Sequence, residues 1–186
     1  MSPNQSLLDL LLELQTLDRV PRAGYLLRGV ADPESVAEHV YHVVFLVWAL
    51  APRIPEVDSR RALEMALVHD LAELRIGDLP RTASRYFPDG AKHEAERAAL
   101  AEILAPLPAE ARALWEDYQQ GRSPEARLVK ACDKLQLMLK VTVYEAWGEV
   151  GLSEFWSNPD NFPDGGFVAV RELFAELREW RGRRST

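Results

Sequence analysis

The sequence predicts an all-α protein, a bundle of amphipathic helices that forms a single domain over residues 1–186. Three observations predict this class. Apolar residues recur at helical spacing along most of the chain, no segment alternates strictly between apolar and polar residues, and Pro and Gly stand at the borders of the periodic segments. Hydrophobic residues make up 47% of the chain, which suffices for a core and argues against disorder despite 27% charged residues.

The first two helices are predicted near the N-terminus. A run of leucines makes the first segment amphipathic: Leu7, Leu8, Leu11, Leu12 and Leu14. The second helix is predicted from about residue 33 to residue 50, with Asp32 as its cap and Pro33 at its first position. Pro52 prevents its continuation.

The third helix is predicted to begin after Asp58 or Ser59 and to continue without a break towards Arg75. Gly77 is well placed to end it, because glycine readily adopts the conformation found just after a helix. Residues 77–90 are rich in turn formers and are predicted to form an ordered loop.

Four more helices are predicted in the second half of the chain. One of them has a clear start, because Ser123 can cap it and Pro124 stands at its first position. The last follows Gly165 and Gly166 and is amphipathic. The first three of these four helices are predicted over residues 91–104, 108–120 and 123–147.

The charge and composition exclude several kinds of partner. A formal net charge of −7 disfavours a nucleic acid or an anionic membrane as a partner. Cys132 stands alone, so neither an internal disulfide nor a cysteine-based zinc cluster is possible. The N-terminal residues do not read as a signal peptide, and the longest apolar stretch, residues 43–51, is far below the roughly 20 residues that span a bilayer. A cytoplasmic location is therefore expected.

Four polar residues stand at helix positions where the apolar periodicity predicts hydrophobic residues: His39, His69, Asp70 and Asp133. A carboxylate buried on such a helix costs several kcal/mol (~2–7) unless it is paired, hydrogen-bonded or bound to a metal. Residues from three helices can meet in the interior of a bundle, where metal sites are commonly built. Two imidazoles and two carboxylates without a thiolate suit divalent Mn, Co, Fe, Ni or Zn.

Each of these residues also has a simpler interpretation. A lone histidine such as His39 is more often a hydrogen-bonded core residue than a ligand. Asp70 alone can be an exposed helix charge, and Asp133 alone can pair with Lys130 or Lys134 on the same helix. The combination, and above all the His69–Asp70 doublet on an apolar helix, favours the metal site.

The order of these residues resembles the H…HD…D pattern of the HD-domain metal-dependent phosphohydrolases. The resemblance extends to the branch of 5′-deoxynucleotidases and covers about residues 7–180. It rests on four ordered stretches: 17–24 (LDRVPRAG), 34–39 (ESVAEH), 66–73 (ALVHDLAE) and 77–80 (GDLP). It implies a helical bundle of the HD-domain type with a metal site in its core.

The resemblance also implies roles for individual residues. His39, His69, Asp70 and Asp133 match the metal ligands of the family. Glu73 and Asp78 match acids that act in catalysis and can hold a second cation, and Arg19 matches an arginine that contacts the substrate phosphate. The spacing is compatible for Glu73, which stands one turn after the doublet, although a surface salt bridge is its simpler interpretation. Asp78 can equally stabilise a turn, and Arg22 and Arg28 can be solvated surface residues.

The function that follows is a divalent-metal-dependent phosphomonoesterase acting on (deoxy)nucleoside 5′-monophosphates. The metal would be Mn, Co, Mg, Fe, Ni or Zn, Glu73 would position or deprotonate the attacking water, and Asp78 would protonate the leaving oxygen. One alternative is an HD-type hydrolase of a nucleoside diphosphate, triphosphate or cyclic nucleotide, which predicts more basic residues than the Arg19–Arg28 cluster. Another is a non-catalytic helical interaction module stabilised by its metal. The resemblance also implies a homodimer.

Overall fold

A computed structural model describes residues 3–184, which fold into α-helices joined by turns and by three short 3-10 helices, Gln15–Arg19, Ala51–Arg53 and Pro159–Asn161. No β-strand forms within residues 3–184, in agreement with the predicted all-α class. The α-helices in chain order are α1 Pro3–Leu14, α2 Ala23–Leu26, α3 Val36–Leu50, α4 Ser59–Val68, α5 Glu73–Ile76, α6 Arg81–Ser84, α7 Ala91–Ile103, α8 Ala109–Gln120, α9 Pro124–Ala146, α10 Ser153–Ser157 and α11 Val168–Arg184.

Helix α9 lies at the centre of the bundle. It packs against α3, α4, α8 and α11, so side chains on most of its circumference are buried. Ser123 accepts a hydrogen bond from the backbone of Ala126 and Pro124 stands in the first turn, as the sequence predicts. The central core contains, among others, Val43 and Val47 from α3, Met65 from α4, and Leu128 and Leu135 from α9.

A second group of buried apolar residues lies on the N-terminal side of the bundle. It joins α1, the 3-10 helix Gln15–Arg19, α7 and α8 through Leu10, Leu17, Leu100, Ile103 and Trp115. None of the helices in the described part of the chain is long and apolar enough to cross a membrane.

The start of α3 differs from the prediction. The cap is Ser35, not Asp32, and the helix begins at Val36. Ser35 and Glu38 form a reciprocal capping box, in which each side chain accepts a hydrogen bond from the other residue's backbone. This motif satisfies two free N–H groups at the helix end, which the short Asp32 side chain three residues earlier cannot reach. Its start places His39 one turn into the helix.

The sequence predicted one continuous third helix, but in the structure this helix is interrupted at the His69–Asp70 doublet. Helix α4 ends at Val68 and α5 begins at Glu73, and the backbone hydrogen bonds between them join residues three apart. Nδ1 of the His69 ring lies 2.7 Å from the carbonyl oxygen of Ala66. In a regular helix this oxygen would accept a hydrogen bond from the backbone N–H four residues later. A side chain that competes for a helix carbonyl in this way loosens the regular helix.

Helices α1, α7, α8, α9 and α11 agree with the prediction to within a few residues, whereas the short helices α2 and α10 lie where the sequence analysis predicted none. Gly77 ends α5 with a φ of 72°, a conformation that favours glycine. The predicted loop over residues 77–90 contains the short helix α6, which the sequence analysis did not expect. This loop lies beside the doublet and forms one wall of the candidate site.

Candidate metal centre and active site

The four predicted metal ligands lie together in the structure. His39 comes from α3, His69 and Asp70 from the break between α4 and α5, and Asp133 from α9. The Nε2 atom of His39 is 3.4 Å from Oδ2 of Asp70 and 3.3 Å from Oδ1 of Asp133, and Nε2 of His69 is 3.4 Å from the same Asp70 oxygen. Donor atoms of His39, His69 and Asp70 all fall within 4.8 Å of one another.

His39 and His69 both direct their Nε2 atoms towards the carboxylates of the predicted site. Nδ1 of His39 lies 2.6 Å from Oε1 of Gln136, and Nδ1 of His69 lies 2.7 Å from the carbonyl oxygen of Ala66. Since these partners are acceptors, each Nδ1 carries a proton, and in the neutral ring, the form that binds a metal, each Nε2 presents a lone pair. The two Nε2 atoms are buried and have no hydrogen-bond partner, which is costly unless a cation binds there.

The donor set therefore fits a divalent metal ion. Donor atoms of His39, His69 and Asp70 lie within 4.8 Å of one another, and Asp133 joins them through its 3.3 Å approach to His39. Nitrogen with oxygen donors suits a borderline divalent metal. The simpler interpretation of Asp133 is partly correct, because its second oxygen lies 3.1 Å from Nζ of Lys134 while the first faces His39. Asp70 is not an exposed helix charge, since only 18% of its side chain is accessible.

Glu73 is buried beside the doublet rather than paired at the surface. Its residue is 6% exposed, and one carboxylate oxygen, Oε2, has no hydrogen-bond partner among the described residues. Burial, followed by the nearby charge of Asp70, raises the pKa of Glu73 to about 10 in the protein without a metal. A cation next to Glu73 would oppose this rise, because positive charge stabilises the ionised form.

Asp78 reaches the same space from the turn after α5. Its Oδ2 accepts a hydrogen bond of 2.7 Å from the backbone N–H of Ala23, the first residue of α2, so it joins its loop to α2 instead of stabilising its own turn. Its other oxygen lies 3.7 Å from a guanidinium nitrogen of Arg22. The side chain thus has a structural partner and also lines the cavity next to Glu73.

Arg22, not Arg19, is the arginine within this group. Its Nη1 lies 3.4 Å from Asp70, 3.7 Å from Asp78 and 3.9 Å from Glu73, and its side chain is only 12% exposed. The interpretation of Arg22 as a solvated surface residue is wrong. Burial opposes its charge, but the carboxylates of Asp78, Asp70 and Glu73 hold its pKa above the ordinary value.

Arg19 lies elsewhere. It stands at the end of the 3-10 helix Gln15–Arg19, is exposed, and lines a separate cavity with Asp18, Glu38 and His42. The structure therefore does not bring Arg19 together with the four predicted ligands. Sequence spacing could not distinguish these two arginines, which stand three positions apart on an irregular segment.

Three of the four predicted ligands, His69, Asp70 and Asp133, line a cavity of about 1270 Å³, and His39 lies buried behind them. The 77–90 loop, α8, α9 and α10 form its walls, and ion pairs tie the walls together: Arg81 with Asp160 at 2.7 Å, and Arg28 with Glu154. The cavity contains more basic side chains than the sequence analysis expected. The additional ones are Arg81, Arg85, Lys92, Lys130 and Lys134.

Two buried polar residues beside the ligands were missed by the sequence analysis. Gln136 contacts His39, and Glu34 accepts hydrogen bonds from Gln136. Gln136 stands three positions after Asp133, which places both on one face of α9, so its spacing was an available signal. For Glu34 the sequence offered only its closeness to the capping box.

Comparison with known proteins gives consistent results. A family model described as HD domain matches residues 14–164. The 5′-deoxynucleotidase HDDC2 of Danio rerio is 35% identical over 175 residues, which cover 90% of this chain and 84% of that protein. For the mouse protein of the same name the identity is 37%, and the match spans 65% of its length.

Solved structures are similar as well. A conserved hypothetical protein from Pyrococcus furiosus is similar with a TM-score of 0.81 and 37% identity, covering 92% of this chain and 99% of that one. The HD phosphohydrolase of cyanophage S-2L, bound to dA and one catalytic Zn²⁺ ion, gives a TM-score of 0.52 at 25% identity over 92% of this chain and 95% of that one. The phage's dATP triphosphohydrolase is 34% identical over 136 residues, 69% of this chain and 70% of that protein.

Proposed function

The chain belongs to the HD-domain family, and on that premise we propose that it hydrolyses (deoxy)nucleoside 5′-monophosphates to a nucleoside and phosphate, using a divalent metal. One observation carries the proposal. Two buried histidine Nε2 atoms without hydrogen-bond partners lie 3.3 to 3.4 Å from carboxylate oxygens of Asp70 and Asp133, beside a cavity that is also lined by Glu73, Asp78 and Arg22. The names of the 5′-deoxynucleotidase relatives support the substrate class.

We assign the metal to His39, His69, Asp70 and Asp133. When bound, a divalent ion supplies Lewis-acid chemistry, withdrawing charge from a phosphoryl oxygen and making a water more acidic. The hydrogen bonds at both Nδ1 atoms support the assignment, because they fix the rings with Nε2 directed at the carboxylates. The identity of the metal stays open among Mn, Co, Mg, Fe, Ni and Zn.

Glu73 is proposed as the base. In the proposed step a water oxygen attacks phosphorus, its proton passes to Glu73, and the bond between phosphorus and the 5′-oxygen breaks. Asp78 is proposed to give a proton to that leaving oxygen. Both acids are also candidates for holding a second cation, and their position on one cavity wall supports either role.

Arg22 is proposed to bind the non-bridging oxygens of the substrate phosphate. Its guanidinium faces three carboxylates, so its charge is held in place inside the cavity before the substrate enters. Positive charge fixed in a site that excludes water stabilises the developing phosphoryl charge without reorganisation. The family resemblance gives this role to Arg19, and that assignment stays a prediction.

A second candidate activity is the hydrolysis of a nucleoside triphosphate. The observation that favours it is the set of lysines along the cavity, of which Lys130 has no ion pair among the described residues. Lys130 is partly buried and its ammonium lies 4.3 Å from the centre of the Tyr118 ring. Additional positive charge of this kind suits a longer phosphate chain.

Product analysis separates these activities. Purified protein with added Mn²⁺ or Co²⁺ is incubated with ribo- and deoxynucleoside mono-, di- and triphosphates, and phosphorus NMR identifies the products. The proposal expects inorganic phosphate from the monophosphates. Triphosphate released from a triphosphate substrate would favour the second activity, and bound metal without turnover of any nucleotide would favour a non-catalytic helical module.

We further infer that the chain forms a homodimer through the exposed face of α3. Tyr41, Phe45 and Trp48 recur at helical spacing on this face and are 66%, 54% and 61% exposed. No Asp, Glu, Lys or Arg occurs between residues 40 and 50, so this face avoids the repulsion that two acidic copies otherwise experience. Exposed apolar patches of this kind are typical of interfaces.

Sedimentation velocity tests the dimer. Wild-type protein is expected to sediment as a dimer and the double variant Phe45→Glu/Trp48→Glu as a monomer, because each introduced carboxylate would face its copy. Val168→Glu, on the exposed surface of α11, is the matched control and should remain dimeric. A wild-type monomer at every concentration would contradict the inference. The cytoplasmic location stays a prediction.

A further inference from the structure

Two buried polar side chains next to the candidate metal centre have no role in the reaction proposed above. Gln136 is 3% exposed and Glu34 is 4% exposed, and neither is among the proposed ligands. Such groups are costly to bury unless they are fully hydrogen-bonded. They are, and their bonds lead directly to His39.

The orientation of the Gln136 amide follows from its neighbours. Its Nε2 lies 3.1 Å and 2.8 Å from the two oxygens of Glu34, and one of these oxygens lies 3.3 Å from the ammonium of Lys140. A carboxylate that faces an ammonium is an acceptor, so the amide must present its NH₂ group to Glu34. Its oxygen is then left to face His39.

This orientation determines the tautomer of His39. Oε1 of Gln136 lies 2.6 Å from Nδ1 of His39, and an amide oxygen can only accept. Nδ1 must therefore carry a proton, and in the neutral ring, the form that binds a metal, Nε2 is the bare nitrogen that points at Asp70 and Asp133. We propose that Gln136, oriented by Glu34, is a positioning residue that fixes His39 in its metal-binding tautomer; this rests on the proposed metal role of His39.

Glu34 is itself held from several sides. Its backbone N–H donates a 2.7 Å hydrogen bond to the hydroxyl of Tyr144, and that ring stacks edge-on against Tyr25 at 5.1 Å. Lys140 provides its counter-charge, and Nδ1 of His42 lies 3.6 Å away. The chain of contacts thus runs from a lysine on α9 through Glu34 and Gln136 to a ligand on α3.

The two ligand histidines are fixed in different ways. Nδ1 of His69 bonds a backbone carbonyl, which no substitution at Ala66 removes. The tautomer of His39 instead depends on the side-chain amide of Gln136. The orientation of that amide is no longer determined if its own partner, Glu34, is changed. Of the two ligand histidines, only His39 therefore has a tautomer that depends on another side chain.

Glu34→Gln is the decisive variant. A glutamine at position 34 can donate to Oε1 of Gln136, which lets the amide turn and present Nε2 to His39. The His39 ring then carries its proton on Nε2, and a protonated Nε2 has no lone pair with which to bind a metal. The exchange variant Glu34→Gln/Gln136→Glu restores the order, because a carboxylate at position 136 can only accept from His39 and from Gln at position 34.

Two measurements on the whole chain test the proposal. Calorimetric titration with Co²⁺ should show affinity weaker by about 10-fold for Glu34→Gln and by up to about 100-fold for Gln136→Met, with recovery in the exchange variant. Nitrogen-15 NMR of the metal-free protein should show the Nδ1-protonated ring of His39 in the wild type and a mixture in Glu34→Gln. Thr142→Val, another buried polar position on α9, is the matched control and should bind Co²⁺ as the wild type does.

The outcomes are distinct. If wild-type protein binds no Co²⁺, the metal assignment fails and this proposal falls with it. If the wild type binds Co²⁺ and folded Glu34→Gln binds it equally well with an unchanged tautomer, the positioning role alone is overturned. A purely structural role for the pair predicts that the exchange variant changes thermal stability without restoring affinity. If Gln136→Met does not fold, the comparison of Glu34→Gln with the exchange variant still decides.

Discussion

Replacing Arg22 by methionine is expected to damage both stability and catalysis, whereas the same change at Arg19 should affect neither. Arg22 lies 3.4 to 3.9 Å from three carboxylate side chains and is 12% exposed. Because burial raises the pKa of Glu73 to about 10 in the metal-free protein, its side chain is uncharged near neutral pH, and the pairs with Asp70 and Asp78 remain. At an effective dielectric constant of about 20, each of these two pairs corresponds to roughly 4–5 kcal/mol of Coulomb energy. The cost of burying the guanidinium offsets much of this sum, and removing one partner of a buried cluster costs about 3–5 kcal/mol.

For a domain of this size, that loss lowers the melting temperature of the metal-free protein by about 6–20 °C. Saturating Mn²⁺ should reduce the difference, because the ion compensates the same carboxylates. Phosphate release from dAMP should fall by about 100- to 1000-fold in kcat/KM, the usual effect of losing one charge-stabilising group. Arg19→Met, an exposed position, should stay within about 0.5 kcal/mol of the wild type.

Differential scanning fluorimetry with and without metal, together with a phosphate-release assay, measures both effects. Equal melting temperatures for Arg22→Met and the wild type would refute the electrostatic argument. Loss of activity in Arg19→Met with full activity in Arg22→Met would return the phosphate role to Arg19.

Four further predictions have defined outcomes. Glu73→Gln should keep the fold and Co²⁺ binding but lower turnover by about 100-fold or more, and unchanged turnover would remove Glu73 as the base. Because burial raises the pKa of Glu73 to about 10 from an ordinary 4.5, the folded metal-free chain keeps a proton that the unfolded chain releases, so its stability should fall from pH 4.5 towards pH 10. Denaturant titrations should show a flatter pH dependence in Glu73→Gln. Burial also raises the pKa of the Cys132 thiol, so a thiol reagent should label it only after unfolding; rapid labelling of native protein would contradict its buried position. Ser123→Ala should cost about 0.5–2 kcal/mol of unfolding free energy through loss of the α9 cap and leave metal affinity unchanged, as measured by urea unfolding and calorimetry.

Long helices with clear borders were predictable from the sequence. The border of α9 is encoded locally by Ser123 and Pro124, and its apolar periodicity extends over most of its length. The break at residues 69–72 was not predictable from periodicity, because it arises from a contact between the His69 ring and the backbone one turn earlier. The prediction of Asp32 as the cap of α3 was wrong, but the correct cap was predictable, because Ser35 and Glu38 have the spacing of a capping box.

The candidate site divides in a similar way. The proposed ligand residues could be predicted because polar residues on apolar helix faces are costly, and the resemblance supplied their order. The choice between Arg19 and Arg22 depends on how a short irregular segment turns after residue 20, which no periodicity encodes. The Glu34–Gln136 pair depends on packing between α9 and the segment before α3, which are about a hundred positions apart in sequence.

Metal-dependent phosphate release from dAMP tests the central claim most directly. Protein treated with a chelator and dialysed is assayed before and after addition of Mn²⁺ or Co²⁺, beside an Asp133→Asn variant that lacks one proposed ligand carboxylate. The account predicts no release before addition, restored release afterwards, and little restoration in the variant at the same metal concentration. Full release by metal-free protein, or equal restoration in Asp133→Asn, would contradict it.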